Sequence, residues 1–126
     1  MEEPAGEACV DTSKLEELRQ MGDDDSFFEE VIGLFIENTS LQMAMLREAV
    51  SGGDAESARI AAHALRGAAA HVGAIPLARN ATFLEKLAQS HSLDGASEIV
   101  EQIERQLEQV RLVVTAAASQ RDIGGE

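Results

Sequence analysis

The residues best suited to chemistry lie in the run His63-Ala64-Leu65-Arg66-Gly67. A neutral imidazole is a competent nucleophile at neutral pH, because the pKa of histidine is ordinarily near ~6.5. On a helix His63 would lie about 160° from Leu65, so an inward Leu65 directs the imidazole to solvent. Arg66, one helical turn on, could neutralise an anion held at the ring. No acid–base partner lies within sequence reach, so the pattern favours accepting an activated group, most naturally a phosphoryl group, from another protein.

Gly67 strengthens this interpretation. Glycine inside a helix costs roughly 1 kcal/mol relative to alanine. Here it would leave the space beside His63 open to a partner. We therefore expect a docking surface around the histidine, formed by these residues: Arg59, Gly67, Ala70, His71 and Arg79.

The charges of the chain are unevenly distributed. The formal net charge is −13, yet the 28 residues from Ser57 to Leu84 contain no Asp or Glu, and Arg59, Arg66 and Arg79 all fall among them. This segment is the one suited to an anion or an acidic partner.

The overall acidity excludes other classes of protein. A net charge of −13 argues against binding to nucleic acid and to anionic membranes. No apolar run approaches the roughly 18 residues that span a bilayer. Glu2 and Glu3 stand where a signal peptide needs positive charge, and the single Cys9 can close no internal disulfide. We expect a cytoplasmic protein, and a monomer.

Metal binding is disfavoured. His63 and His71 are eight residues apart, too far for one ion without further ligands, and no Cys or paired carboxylate lies near them or His91. The acidic triplet at 23–25 lacks the spaced ligands of a calcium loop and is better explained as helix capping. We expect no metal or cofactor bound by this chain.

The elements that must position His63 are helices. The chain is rich in Ala, Leu, Glu and Gln, with four Phe and no Trp or Tyr, which favours an all-α fold. A capping box at Ser13–Glu16 begins a short helix that ends at Gly22. Four longer helices follow, the first reaching about Val50, the second covering about 55–72, the third beginning near Pro76 and the last covering about 96–118.

The apolar stripes of these helices define the expected core. In chain order the inward residues are Leu15 and Leu18; Phe28, Ile32, Phe35, Thr39, Met43, Leu46 and Val50; Ala58, Ala61, Ala62, Leu65, Ala69 and Val72; Leu77, Ala81, Leu84 and either Leu87 or Ala88; and Ile99, Ile103, Leu107, Val110 and Val114. Short turns require antiparallel neighbours, which predicts an up-down four-helix bundle with a short additional N-terminal helix. The bundle should cover residues 11–118, between flexible tails at 1–10 and 119–126.

The motif at His63 resembles a known family. His63-Ala64-Leu65-Arg66-Gly67 followed by Gly73 is similar to the signature of histidine-containing phosphotransfer (HPt) domains of multistep phosphorelays: His, any residue, Leu, Lys or Arg, Gly, and a second Gly about six residues on. The alanines before it, the later run Leu84-Glu85-Lys86-Leu87 and the order of elements are similar too. The resemblance covers about residues 11–118.

The resemblance implies a function. His63 would accept a phosphoryl group from the phospho-aspartate of one response-regulator receiver domain and pass it to another receiver's aspartate. Arg66 would contact the phosphoryl oxygens, Gly67 would give the partner clearance and Gly73 would end the helix. The receiver would supply Mg²⁺, and a hybrid histidine kinase is a possible further partner. No Gly-rich nucleotide-binding loop appears, so the chain would be a carrier rather than an enzyme.

Departures and alternatives remain open. Many family members have small hydroxyl residues where this chain has Ala68 and Ala69, and Asn or Gln near His71. The chain could instead be the phosphoacceptor domain of a larger hybrid or chemotaxis-type histidine kinase, or a non-catalytic helical interaction module with an incidental histidine.

Overall fold

Five helices make up the regular structure of the described chain. The computed structural model describes residues 8–119, and they contain α1 (Thr12–Arg19), α2 (Asp25–Ser51), α3 (Ala55–His71), α4 (Ile75–Gln89) and α5 (Ala96–Ser119), with no strands. The all-α prediction is confirmed. None of these helices is both long and apolar enough to cross a membrane.

The four long helices form the predicted bundle. α3 packs against α2 and α4, α5 closes the bundle against α2 and α4, and α1 rests on α2. Each helix therefore buries one stripe, which leaves the outer face of α3 open to solvent.

Local sequence explains where the helices begin. Asp11, Asp24 and Asp54 are the N-caps of α1, α2 and α3, and each carboxylate accepts a hydrogen bond from a backbone N–H in the first turn. The capping box predicted at Ser13 is thus replaced by a cap at Asp11. α4 has no side-chain cap and instead carries Pro76 in its first turn, where the missing N–H leaves no bond unmade.

The core follows the predicted stripes with two shifts. Ala49 is buried instead of Val50, and Val100 instead of Ile99; the replaced residues lie half-buried at the edge of the core. Both shifts occur near a helix end, where a small change of helix angle exchanges adjacent positions. In α4, Ala88 rather than Leu87 is buried, along with one residue that the stripe did not include, Glu85.

The N-terminal segment packs closely on the end of α3. Asp11 N–H donates to the carbonyl of Gly73 at 2.7 Å, and Val10 is 2% exposed, so the packed region includes Val10. Gly73 has a φ of +80°, and a Cβ there would lie 2.8 Å from the Cβ of Lys14. Only glycine fits this junction without strain. The remainder of the two predicted tails, residues 1–7 and 120–126, lies outside the described residues.

Candidate functional site

His63 lies on the solvent side of α3, as the helical spacing predicts. Its side chain is 58% exposed, while Leu65 is fully buried. The adjacent core positions of α3 are mostly alanines, which bring α4 close to α3. An imidazole on this face therefore meets side chains from α4 as well as from its own helix.

The imidazole is held by a buried carboxylate on α4. Nδ1 of His63 lies 2.8 Å from Oε2 of Glu85. Glu85 is only 8% exposed, although a glutamate is almost never buried without a partner. Its position next to Leu84 in the core stripe explains the burial, and its head reaches the surface at His63.

Arg66 completes a three-residue cluster. Its Nε donates to Oε1 of Glu85 at 3.0 Å, and its Nη2 lies 2.9 Å from Nδ1 of His63. The carboxylate thus contacts His63 through one oxygen and Arg66 through the other. The negative charge of Glu85 strengthens both hydrogen bonds, and these bonds fix the rotamers of the His63 and Arg66 side chains.

The state of Glu85 determines which ring nitrogen of His63 is available. Burial alone would raise the pKa of the Glu85 carboxyl, but the hydrogen bonds from His63 and Arg66 and the charge of Arg66 hold this pKa below its ordinary value of 4.5. Glu85 is therefore ionised near neutral pH and can only accept a hydrogen bond.

An ionised Glu85 favours the His63 tautomer that carries its proton on Nδ1. Nδ1 cannot both donate to Glu85 and accept from Arg66, so the contact of Arg66 Nη2 competes with the carboxylate for this atom. In a neutral ring with Nδ1 protonated, Nε2 keeps its lone pair. The described residues place no hydrogen-bond partner on Nε2, which leaves it open as a nucleophile.

His63 has no acid–base partner within reach along its own helix, as expected, but the fold supplies one from another helix. Glu85 lies 22 residues away in the chain, and it enters the site because α3 and α4 are antiparallel neighbours. The acid-free segment ends at Leu84, one residue before it. The surface around His63 therefore carries basic side chains above a buried carboxylate, that of Glu85, and is not free of acids. The signal for Glu85 in the sequence is the run Leu84-Glu85-Lys86-Leu87, one of the features that carry the family resemblance.

Gly67 and Ala70 carry little or no side chain, so the surface beside His63 does not protrude; we call it the low surface. Both lie on the exposed face of α3, one and two turns beyond the histidine. A Cβ built on Gly67 would meet no heavy atom of residues 8–119 within 4 Å. Packing within the chain therefore does not explain the glycine, which is consistent with clearance for a partner.

The other predicted docking residues lie on α3 and α4. Arg59, one turn before His63, pairs with Glu56 through contacts of 2.7 and 3.2 Å. His71 is exposed at the end of α3, where it lines a groove with Leu34 and Leu41 of α2. Arg79 is exposed on α4. Among residues 8–119, no three His, Cys, Asp or Glu side chains are placed to hold a metal ion together.

Comparisons with known proteins agree with this arrangement. The crystal structure of histidine-containing phosphotransfer protein B (HptB) from Pseudomonas aeruginosa PAO1 superimposes with a TM-score of 0.83 and 26% sequence identity, over 89% of this chain and 96% of that chain. A search of curated proteins found no match. The family model described as the Hpt domain matches residues 30–112, which include both His63 and Glu85. The chain therefore belongs to the Hpt domain family.

Proposed function

We propose that this chain is a phosphorelay carrier that takes a phosphoryl group on Nε2 of His63 from one receiver domain and delivers it to another. The observation that carries the proposal is the contact of Nδ1 with the buried, ionised Glu85, which in the neutral ring places the proton on Nδ1 and leaves the lone pair on Nε2, on an exposed face. Membership of the Hpt family and the likeness to HptB support it.

The transfer step needs no proton from this chain. The lone pair of Nε2 forms a bond to phosphorus as the bond between phosphorus and the receiver's aspartyl oxygen breaks, and the aspartate leaves as a carboxylate. The ring gains positive charge, and its Nδ1 proton stays in the hydrogen bond to Glu85. The carboxylate therefore stabilises the charge that develops during the transfer.

Arg66 and the partner share the remaining work. Arg66 is anchored to Glu85 through Nε, and the Nη groups of its guanidinium carry further N–H donors that could bind oxygens of an incoming phosphoryl group. The receiver domain would supply Mg²⁺ and its own acidic pocket. The low surface at Gly67 and Ala70, with Arg59, His71 and Arg79 around it, would form the docking face.

Phosphotransfer from a phosphorylated receiver tests the proposal. The wild-type chain should gain an acid-labile phosphate, and His63→Ala should gain none. His71→Ala and His91→Ala are matched histidine controls and should still be labelled. ATP and Mg²⁺ alone should label none of the proteins. Equal labelling of His63→Ala and the wild type would refute the assignment.

Arg66→Ala gives a second test of the site. Because the Arg66 side chain lies at the surface and is 39% exposed, this change should leave the fold intact and slow transfer about tenfold, the loss expected for one charge-assisted hydrogen bond. The measurement is the transfer rate at saturating receiver, with thermal unfolding as the control. An unchanged rate would remove Arg66 from the site.

A further inference from the structure

The two sides of the His63 ring differ in their supply of positive charge. Arg66 lies on the Nδ1 side, with its Nε bound to Glu85 and its Nη2 at Nδ1. Nε2 is at the opposite edge of the ring. The cation predicted to contact the phosphoryl group therefore approaches from one side only, and the other side requires a different group.

Arg59 is the first cation before His63 along α3. It lies four residues before His63, so the two side chains are neighbours on one face of α3. Helical side chains lean towards the N-terminus of their helix, which brings the His63 ring over the turn that contains Arg59. The pKa of Arg59 is raised chiefly by its hydrogen bond to Glu56, and the charge of Glu85 also raises it. The guanidinium is thus already within the electrostatic field of the site.

Glu56 currently holds Arg59. The pair is made of residues one helical turn apart, with the carboxylate 65% exposed and the guanidinium 33% exposed. The hydrogen bond from Arg59 lowers the pKa of Glu56, so the carboxylate stays charged near neutral pH. Exposed pairs of this kind are weak and exchange readily. A phosphoryl group carries up to about two negative charges and competes for the same guanidinium.

We propose that Arg59 is a second phosphoryl-binding residue, held by Glu56 in the unphosphorylated chain and released to the phosphoryl group on His63. The proposal rests on the function proposed above. The phosphohistidine would then lie between two guanidiniums, one from each neighbouring turn of α3. Glu56 would act as a competitor that lowers the rate of phosphorylation.

Phosphorylation by potassium phosphoramidate tests this without a partner protein. The lone pair of Nε2 forms a bond to phosphorus, the phosphorus–nitrogen bond of phosphoramidate breaks, and ammonia leaves. The ring keeps its Nδ1 proton. Since no receiver docks in this reaction, any effect of Arg59 reports on the phosphoryl group itself. The readout is the phosphate that the wild type gains and His63→Ala does not.

The two members of the pair should give opposite results. Arg59→Gln should slow phosphorylation of His63 about two- to fivefold, because one exposed cation is lost. Glu56→Gln should accelerate it by a similar factor, because Arg59 is freed. The double variant should match Arg59→Gln. Higher salt should reduce both effects.

Matched variants on α5 provide the control. Arg111 and Glu108 form a pair with the same spacing at 3.2 Å on α5, whose main contacts are with α2 and α4. Glu108→Gln and Arg111→Gln change the net charge equally and should leave the rate unchanged, with all variants melting near the wild-type temperature.

If the pair between Arg59 and Glu56 had only a structural role, substitution of either residue would change the phosphorylation rate in the same direction. If Glu56→Gln and Arg59→Gln both slow the reaction, or neither alters it, Arg59 does not bind the phosphoryl group. Failure of the proposed function is a separate outcome: the wild type would then gain no phosphate from any phosphorylated receiver, whatever phosphoramidate does.

Discussion

At the level of single residues, Glu85 links the chemistry of His63 to the packing of the bundle. Its carboxylate contacts Nδ1 of His63 at 2.8 Å and Nε of Arg66 at 3.0 Å. A buried acid of this kind positions the ring and selects its tautomer without touching the transferred group. Its substitution should therefore alter both the rate and the proton distribution of His63.

Substitutions at Glu85 separate these effects. Glu85→Gln keeps an oxygen that can accept from Nδ1 but loses the charge, whereas Glu85→Ala removes both. We expect Glu85→Ala to slow transfer on the order of tenfold, at the lower end of the range for groups that orient a ring nitrogen, and Glu85→Gln to slow it less. Nitrogen-15 NMR of the His63 ring should show the Nδ1-protonated tautomer in the wild type and its loss in Glu85→Ala. An unchanged tautomer would contradict the positioning role.

Acid stability provides an independent measurement on the same residue. The pKa of Glu85 in the folded chain is below its ordinary value of 4.5. Its ionised form therefore stabilises the fold above about pH 4.5, and this contribution is lost as the pH falls through the lowered pKa. Between about pH 6 and pH 3, the free energy of unfolding should fall more steeply for the wild type than for Glu85→Gln. Parallel curves would show that Glu85 is not held as a carboxylate.

At the level of elements, α3 contains an interior glycine that lowers the stability of the helix and leaves the surface beside His63 accessible. Gly67 is exposed inside the helix, and in the described part of the chain a Cβ there would meet nothing within 4 Å. The chain therefore accepts a weaker helix at this turn without any gain in internal packing. Clearance for a docking partner is the role that we propose for the glycine.

Gly67→Ala should accordingly stabilise the protein while impairing its function. We expect a gain of about 0.5–1 kcal/mol in the free energy of unfolding. Transfer from a receiver should slow about tenfold or more, since forcing a methyl group into a packed interface costs about 1–3 kcal/mol. Gly33→Ala is the matched control, because Gly33 is also exposed in a helix with open space around it. It should stabilise the protein and leave transfer unchanged; equal slowing by both variants would argue against clearance at Gly67.

The helices and their inner faces were largely predictable, because spacing along one helix is a local property. Helix boundaries lie at Gly53, Gly73 and Pro76, and glycine and proline have strong backbone preferences. The contact between His63 and Glu85 was not predictable from spacing, since it depends on the register of α3 against α4. A helical stripe also treats a glutamate beside Leu84 as a surface residue.

At the level of the whole molecule, the junction between the N-terminal segment and the end of α3 closes one end of the bundle. Asp11 N–H donates to the carbonyl of Gly73, and Gly73 has a φ of +80°. Gly73 therefore lies just after the end of α3 and also accepts a hydrogen bond from the N-cap residue of α1. Its substitution should affect stability rather than the chemistry at His63.

Gly73→Ala should destabilise the fold by at least about 2 kcal/mol. The positive φ costs about 1–2 kcal/mol for a residue with a Cβ, and the new Cβ would lie 3.0 Å from the carbonyl oxygen of Asp11. Gly95→Ala isolates the first cost, because Gly95 has the same φ of +80° and open space around it. Chemical denaturation should show a larger loss for Gly73→Ala; equal losses would mean that the contact with α1 contributes nothing.

The openness of His63 also has a consequence in time. A side chain that is 58% exposed is accessible to water from the same direction as to a partner. A phosphoryl group on Nε2 would therefore decay by hydrolysis whenever it waits. The phosphorylated chain would have a limited lifetime, and only a partner that docks within that lifetime would receive the phosphoryl group.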